Sequence, residues 1–223
     1  MTLTLFMAPG SCSRVPLIAL EEIGAPFETR LIAFMAGEHR SSDYLTLNPA
    51  GKVPALIVEG GVITQNVAIL RYLAARFPDA HVLPSAADPL AEALLVAQLL
   101  RFSADLHPLV TRLRMPFLIC DLPEGIGRVS DLASATMATQ LAPTERVLQN
   151  QAWLLGDRWS VLDAYLSWIW FRISGTAFDT SPFPAIAEHY TRAELRPSAQ
   201  RALAREHDAE AQLTARGLMV PLR

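Results

Sequence analysis

A chain of 223 residues, 51% hydrophobic and 18% charged, can bury a substantial core as one large domain or two small ones, which argues against disorder. Its formal charge of −3 and lack of clustered Lys and Arg argue against a nucleic-acid surface. Two cysteines, Cys12 and Cys120, are too few for a disulfide framework and fit a reducing compartment.

Met1 to Phe6 has no basic segment ahead of its apolar residues, so it reads poorly as a signal peptide. No run reaches the roughly 18 apolar residues of a membrane span. The expected compartment is the cytoplasm, with no membrane partner. In chain order, Leu3, Leu5 and Met7 alternate with Thr4 and Phe6, as in a short strand. Residues 13–23 follow a helical period, and Gly24 is a stop signal. Residues 26–32 read as a second extended piece, and residues 37–43 as a polar turn region. Val53 to Val58 is a strand, Glu59-Gly60-Gly61 a turn, and Val62-Ile63-Thr64 the returning strand of a hairpin. Residues 65–77 return to helical spacing. The order is βαβ then ββα, with the first two strands parallel across a helical crossover. This predicts an α/β, thioredoxin-like layer.

The second half loses strand grammar. Residues 78–89 hold three prolines, Pro78, Pro84 and Pro89, and read as a linker. The expected division is 1–79 for the α/β domain, 80–89 for the linker and 90–223 for an all-α domain. Helices are expected over 90–114 with a bend at Pro108, and over 129–155 with a break at Pro143. Further helices are expected over 160–174, 184–194 and 198–214. Ser160-Val161-Leu162-Asp163 has a hydroxyl followed three residues on by a carboxylate, a capping-box pattern that assigns Asp163 a folding role.

Cys12 falls where a strand ends and a helix begins, where backbone N–H groups and the helix dipole favour a thiolate. Arg14 stands two residues on. The same donors suit a thiolate brought by a ligand, with Ser11 and Ser13 as hydroxyl donors, and a buried inert cysteine also fits. The Cys-x-x-Cys partner position holds Val15, so dithiol exchange is disfavoured. A cis bond at Val53-Pro54 would turn the Val53 backbone toward an extended peptide, while an ordinary trans proline at a strand start is the simpler reading. Gln65-Asn66, between a strand and a helix, fits either capture of a carboxylate and an amine or plain N-capping. His107 beside Pro108 reads as structural on its own, and His39, His81, His107, His189 and His207 have no metal-ligand spacing.

Taken together, the residues 8–13, 47–56, 64–73 and 155–166 resemble the glutathione transferase family, from about residue 3 to 205. The Pro-Gly-x-Cys-Ser turn at residues 9–13 is similar to the bacterial beta class, with some echo of the zeta class. The resemblance implies that Cys12 lies beside the glutathione sulfur, with Ser13 and Ser11 as competing partners of the thiolate. It implies that Val53 pairs with the cysteinyl part, that Pro54 is cis, and that Gln65 and Asn66 hold the γ-glutamyl end. Lys52 would lie toward the glycine carboxylate, and His107 would be a further glutathione contact. Many members carry Ser where this chain has Asn66. Phe34, Met115, Phe117 and Trp168 fit either a second-substrate pocket or core packing. The expected activity is conjugation of the glutathione thiolate to an apolar electrophile, a detoxification chemistry with glutathione as co-substrate and no metal. A homodimer is implied. The alternatives are a maleylacetoacetate-isomerase-like reaction, thiol transfer, and a non-catalytic binding module.

Overall fold

The computed structural model describes residues 2–219. Its helices and strands divide into two compact units, the described residues through Leu83 with those from Arg196 onward, and Pro84–Leu195.

The first unit is built on a four-stranded sheet of order β2-β1-β3-β4, with β1 Leu3–Met7, β2 Phe27–Leu31, β3 Ala55–Val58 and β4 Gly61–Thr64. β1 and β2 are parallel, from Leu3 opposite Phe27 to Met7 opposite Leu31. β3 runs antiparallel to both β1 and β4. The alternation seen in β1 sends Leu3, Leu5 and Met7 into a buried layer. Phe6, on the opposite face, joins a separate cluster of Ala8, Ile32, Tyr44 and Val53, with Phe34 and Leu47 against it. That cluster underlies the loops at the end of β1 and the start of β3.

α1 Arg14–Ile23 links the parallel strands. It stops at Gly24, whose φ of 71° permits the left-handed cap and whose N–H bonds the Leu20 carbonyl at 3.1 Å. α2 Ser42–Leu47 was not anticipated, because residues 37–43 look like turn. The Ser41 hydroxyl caps it by accepting the Tyr44 N–H. α3 Asn66–Arg76 follows β4 and packs on α1.

In the second unit, Pro89–Arg114 is continuous helix: α4 Pro89–Leu100, a π-helical stretch Arg101–Leu106, and α5 His107–Arg114. The π register has a local cause. Pro108 has no N–H to give the Ala104 carbonyl, and the His107 N–H reaches back five residues to Phe102. So Pro108 shifts the register where a bend was expected. This stretch is long and apolar enough, by length and composition alone, to cross a membrane, with mean hydropathy of 1.2 and 33% of the window buried. Glu92, Arg101 and Asp105 interrupt its apolar run. Its buried residues, Leu95, Leu99, Phe102, Leu106 and Leu109, recur at helical spacing.

α6 Pro123–Leu148 runs unbroken through Pro143, contrary to the expected interruption. The Arg101 guanidinium donates to the Gln140 carbonyl and, at 3.1 Å, to the Thr144 hydroxyl, supplying side-chain donors beside the turn that Pro143 deprives of an N–H. Burial of Arg101 lowers its pKa from the usual guanidinium value. α7 Val161–Ser174 and α8 Pro184–Glu194 complete the unit. α7 starts with the expected capping box of Ser160 and Asp163.

The last helix, α9 Pro197–Ala215, packs on α1 in the first unit, whereas the sequence division grouped it with the helical half. Charge pairing explains the attachment. Arg14 meets Glu206, Glu21 meets Arg201 and Arg205, and Glu22 meets Arg196 and Ser198.

Candidate functional site

The turn from Ala8 to Ser13 joins β1 to α1 and is tied by its own hydroxyls. Ser13 donates to the Ala8 carbonyl and accepts the Ala8 N–H, both at 3.2 Å. The Ser11 and Ser13 hydroxyls lie 2.7 Å apart, and Ser11 accepts the Ser13 N–H at 3.2 Å. Ser13 is 0% exposed, so its hydroxyl serves the turn and has no open face toward a ligand. Ser11 and Cys12 are half-buried at the end of the same turn.

Cys12 lies one residue ahead of the helix cap, as its place in the sequence suggested. Its carbonyl accepts the Val15 N–H at 3.2 Å, and its thiol donates to the Val53 carbonyl at 3.5 Å. Arg14 follows, buried, with Nε and Nη2 donating to one Glu206 oxygen at 3.0 and 2.6 Å. The charge expected to assist Cys12 is therefore matched by a carboxylate.

The Val53-Pro54 peptide bond is cis. The segment before it is anchored through the Lys52 carbonyl, which accepts the Tyr44 hydroxyl at 2.7 Å and the Asn48 side-chain amide at 2.6 Å. Burial pushes the Tyr44 hydroxyl pKa above its ordinary value, and Asn48 acts in the other direction. The Lys52 side chain is exposed, while Val53 and Pro54 are buried. Gly51, at φ 57°, is another tight point, since a Cβ there would stand 3.1 Å from the His39 carbonyl.

Gln65 precedes α3 at φ 72° and ψ 127°, a backbone conformation rare for any residue but glycine. Such positions cost of order 1–3 kcal/mol and concentrate at ligand sites. Neither Gln65 nor Asn66 caps α3 with its side chain. Instead the Asn66 amide donates to the Cys12 carbonyl at 3.1 Å. Three motifs separated by tens of residues thus meet: Asn66 holds Cys12, and Cys12 touches Val53.

His107 lies in the second unit. Its Nδ1 is 2.9 Å from the Tyr165 hydroxyl, and its ring meets Trp168 edge-on at 4.5 Å. Trp168 is buried, Phe117 is exposed, and Phe34 stacks on His39 at 3.9 Å. Sequence reasoning missed Tyr44, Asn48 and Tyr165. Asn48-Pro49 carried a turn signal, whereas Tyr44 carried none, because residues 44–47 stood outside every expected element. Among the described residues, no group of three or more His, Cys, Asp or Glu is placed to hold a metal ion.

The family profile described as the glutathione S-transferase N-terminal domain matches residues 1–75. Glutathione S-transferase GST-4.5 of Xanthomonas campestris is 34% identical over 162 residues, covering 73% of this chain and 78% of its own. This chain belongs to the glutathione S-transferase family. Glutathione S-transferase GstA of Escherichia coli O157:H7 is 29% identical over 91% of this chain and 98% of its own length. The crystal structure of a sphingomonad glutathione S-transferase complexed with glutathione has a TM-score of 0.79 and 30% identity, covering 92% of this chain and 98% of that one. A maleylacetoacetate isomerase of Pseudomonas aeruginosa is 36% identical over 58% of this chain and 60% of its own. Membership of the glutathione S-transferase family agrees with the thioredoxin-like α/β element order, and with a helical second unit, that the sequence led one to expect.

Proposed function

We propose that this chain is a glutathione transferase that joins the glutathione thiolate to an apolar electrophile, with Cys12 beside the reacting sulfur. The observation that carries the reading is the convergence of the Cys12 turn, the Val53-Pro54 cis bond and Asn66 in one unit. The sphingomonad relative with glutathione in its crystal supports the substrate. The Val53 backbone pairs with the cysteinyl part of the tripeptide as an added strand does. Gln65 and Asn66 face the γ-glutamyl end, and Lys52 lies toward the glycine carboxylate. Within the second unit, the Tyr165 hydroxyl fixes the His107 ring.

The thiol of glutathione loses its proton to solvent, and the α1 dipole and turn donors stabilise the sulfur anion. The sulfur then forms a bond to an electrophilic carbon as the leaving group departs with its electron pair. Ser11, half-buried beside Cys12, is the second candidate for the sulfur, ahead of the enclosed Ser13.

Disulfide chemistry is the second reading, because Cys12, half-buried at a helix start and outside any disulfide, suits a mixed disulfide with glutathione. Conjugation to 1-chloro-2,4-dinitrobenzene and reduction of hydroxyethyl disulfide, run in parallel on wild type, Cys12→Ala and Ser11→Ala, separate the two. Conjugation reduced at least tenfold in Cys12→Ala is expected. Loss of disulfide reduction alone assigns Cys12 to thiol transfer, and glutathione binding without either turnover identifies a binding module. Isomerisation of a cis-enone diacid without net glutathione use would instead support the isomerase reading, which the Pseudomonas relative favours.

The working form is a homodimer in the cytoplasm. Exposed Leu90 and Leu94, one turn apart on α4, and exposed Leu132 on α6 support an apolar self-interface. Two cysteines outside any disulfide suit a reducing compartment.

A further inference from the structure

α9 meets the ends of the first two strands as well as α1. Arg205, Asp208, Ala209 and Gln212 stand at i, i+3, i+4 and i+7, one stripe of the helix. With Met7 at the end of β1, and with Thr29 and Leu31 on one face of β2, they line a cleft of about 130 Å³. All of these residues belong to the first unit, and none is assigned to glutathione. An engineered cavity of roughly 150 Å³ holds benzene, so this cleft suits a small metabolite and is too small for a whole peptide or nucleotide.

The floor of the cleft is apolar. Met7 is 1% and Ala209 5% exposed, and Leu31 is half-buried. The rim carries both signs of charge. Arg205 stands three residues before Asp208, a spacing at which opposite charges on a helix commonly pair. Here they do not. Arg205 is drawn to Glu21, with Nε 2.6 Å from a carboxylate oxygen, and its guanidinium lies over the Phe27 ring at 4.4 Å. Glu21 also pairs with Arg201 at 2.7 Å, so two guanidinium groups share one carboxylate and a positive charge is left in excess. Among the described residues, the terminal nitrogens of Arg205 have no acceptor and the Asp208 carboxylate has no cation. The Thr29 hydroxyl and the Gln212 amide are uncommitted in the same way.

A cation and an anion kept from each other, both open to one small cleft, call for a ligand that carries both signs itself. A simple carboxylate meets repulsion from Asp208, and a simple amine meets the excess charge of Arg205. We propose that this cleft binds an α-amino acid with a short branched apolar side chain. The ligand carboxylate meets the Arg205 guanidinium, its ammonium meets Asp208, and its side chain rests on Met7, Leu31 and Ala209. Thr29 and Gln212 add hydrogen bonds at the rim. The γ-glutamyl end of glutathione shares this amino-acid chemistry, so the test distinguishes the two sources. The site itself does not rest on the glutathione reading.

The test uses the full chain with isotope-labelled methionine and leucine methyls, and NMR follows Met7 and Leu31 during titration with L-valine. Saturable shifts with a Kd of about 1 mM or below are expected. Isovalerate lacks the ammonium and isobutylamine lacks the carboxylate, and each is expected to bind at least about fivefold more weakly. Arg205 and Asp208 both reach water, so this discrimination stays below that of an enclosed polar site. Asp208→Asn is expected to equalise valine and isovalerate, and Arg205→Gln to equalise valine and isobutylamine. Lack of saturable shifts by about 10 mM valine overturns the site. Analogues that bind as tightly as valine overturn it too, as does an unchanged preference in either variant. Circular dichroism verifies each fold. If Arg205→Gln does not fold, Asp208→Lys, at an exposed position, takes its place and is expected to favour isovalerate over valine; failure of that reversal overturns the charge assignment. Saturating glutathione is added last, and retained valine binding is expected. Displacement of valine would identify the γ-glutamyl end of the peptide as the occupant and overturn a free amino acid. A chain that fails to bind glutathione loses the substrate reading, and the valine titration still decides this site.

Discussion

Replacing Asp163 by alanine removes one carboxylate and orphans a set of buried donors. Its Oδ1 accepts the Leu154 N–H at 2.8 Å and pairs with His189 Nε2 at 2.9 Å. Its Oδ2 accepts the Ser160 N–H at 2.8 Å and the Ser160 hydroxyl at 3.1 Å. Asp163 and His189 are both 0% exposed, so water cannot take over. A hydrogen bond to a charged group contributes about 1.5–3 kcal/mol, and loss of a helix cap alone costs about 1 kcal/mol. These terms share one carboxylate and do not add. A loss of roughly 4 kcal/mol is therefore expected, at the severe end for point substitutions and a large part of a total of about 5–15 kcal/mol. Asp163→Asn keeps the shape and one acceptor but turns an amide N–H toward a donor, and about 2 kcal/mol is expected. Urea unfolding followed by circular dichroism measures both losses, with turnover recorded on the folded fraction. A loss below about 1 kcal/mol in Asp163→Ala, or full stability with turnover abolished, would refute the reasoning.

Glu206→Ala leaves the Arg14 guanidinium buried without its carboxylate and should cost about 3–5 kcal/mol, read by thermal unfolding. The double variant Arg14→Met with Glu206→Leu should recover most of that; equal losses in the two proteins would show that the pairing is not what matters. His39 gives a pH dependence. Burial first, and then the Arg40 charge, hold its pKa below the ordinary 6.5. The folded chain therefore binds fewer protons there, so stability present above pH 6.5 is lost as pH falls through the lower folded pKa. An NMR titration should place the His39 midpoint below 6.5, with hydrogen-exchange protection over residues 34–40, relative to the intrinsic rate at each pH, lower at pH 5 than at pH 7 in wild type but not in His39→Gln. A midpoint at or above 6.5 contradicts this.

Periodicity, caps and breakers made most of the elements legible, because those signals are local. The alternation of Leu3, Leu5 and Met7, the stop at Gly24 and the Ser160-Asp163 cap all act within a few residues, and each stands where expected. The candidate turn at Cys12 was visible for the same reason, as a strand end against a helix start. Pro143 misled because what accompanies it inside α6 is an arginine some forty residues earlier, which no local pattern reveals. The helix of Tyr44 was hidden because six residues carry too little periodicity to compete with turn chemistry. The placement of α9 was equally invisible, since its charge partners on α1 lie nearly two hundred residues away.

What the sequence by itself determined is which residue types stand at each turn and which faces of strands and helices are apolar. Tertiary structure alone decided which hydroxyl remains accessible, enclosing Ser13 against Ala8 while leaving Ser11 and Cys12 half-buried. It also decided that Asn66 holds the Cys12 carbonyl and does not cap its own helix. The physical reason is reach: a side chain of a few ångströms can join residues 12, 53 and 66 only after a sheet has brought their strand ends side by side.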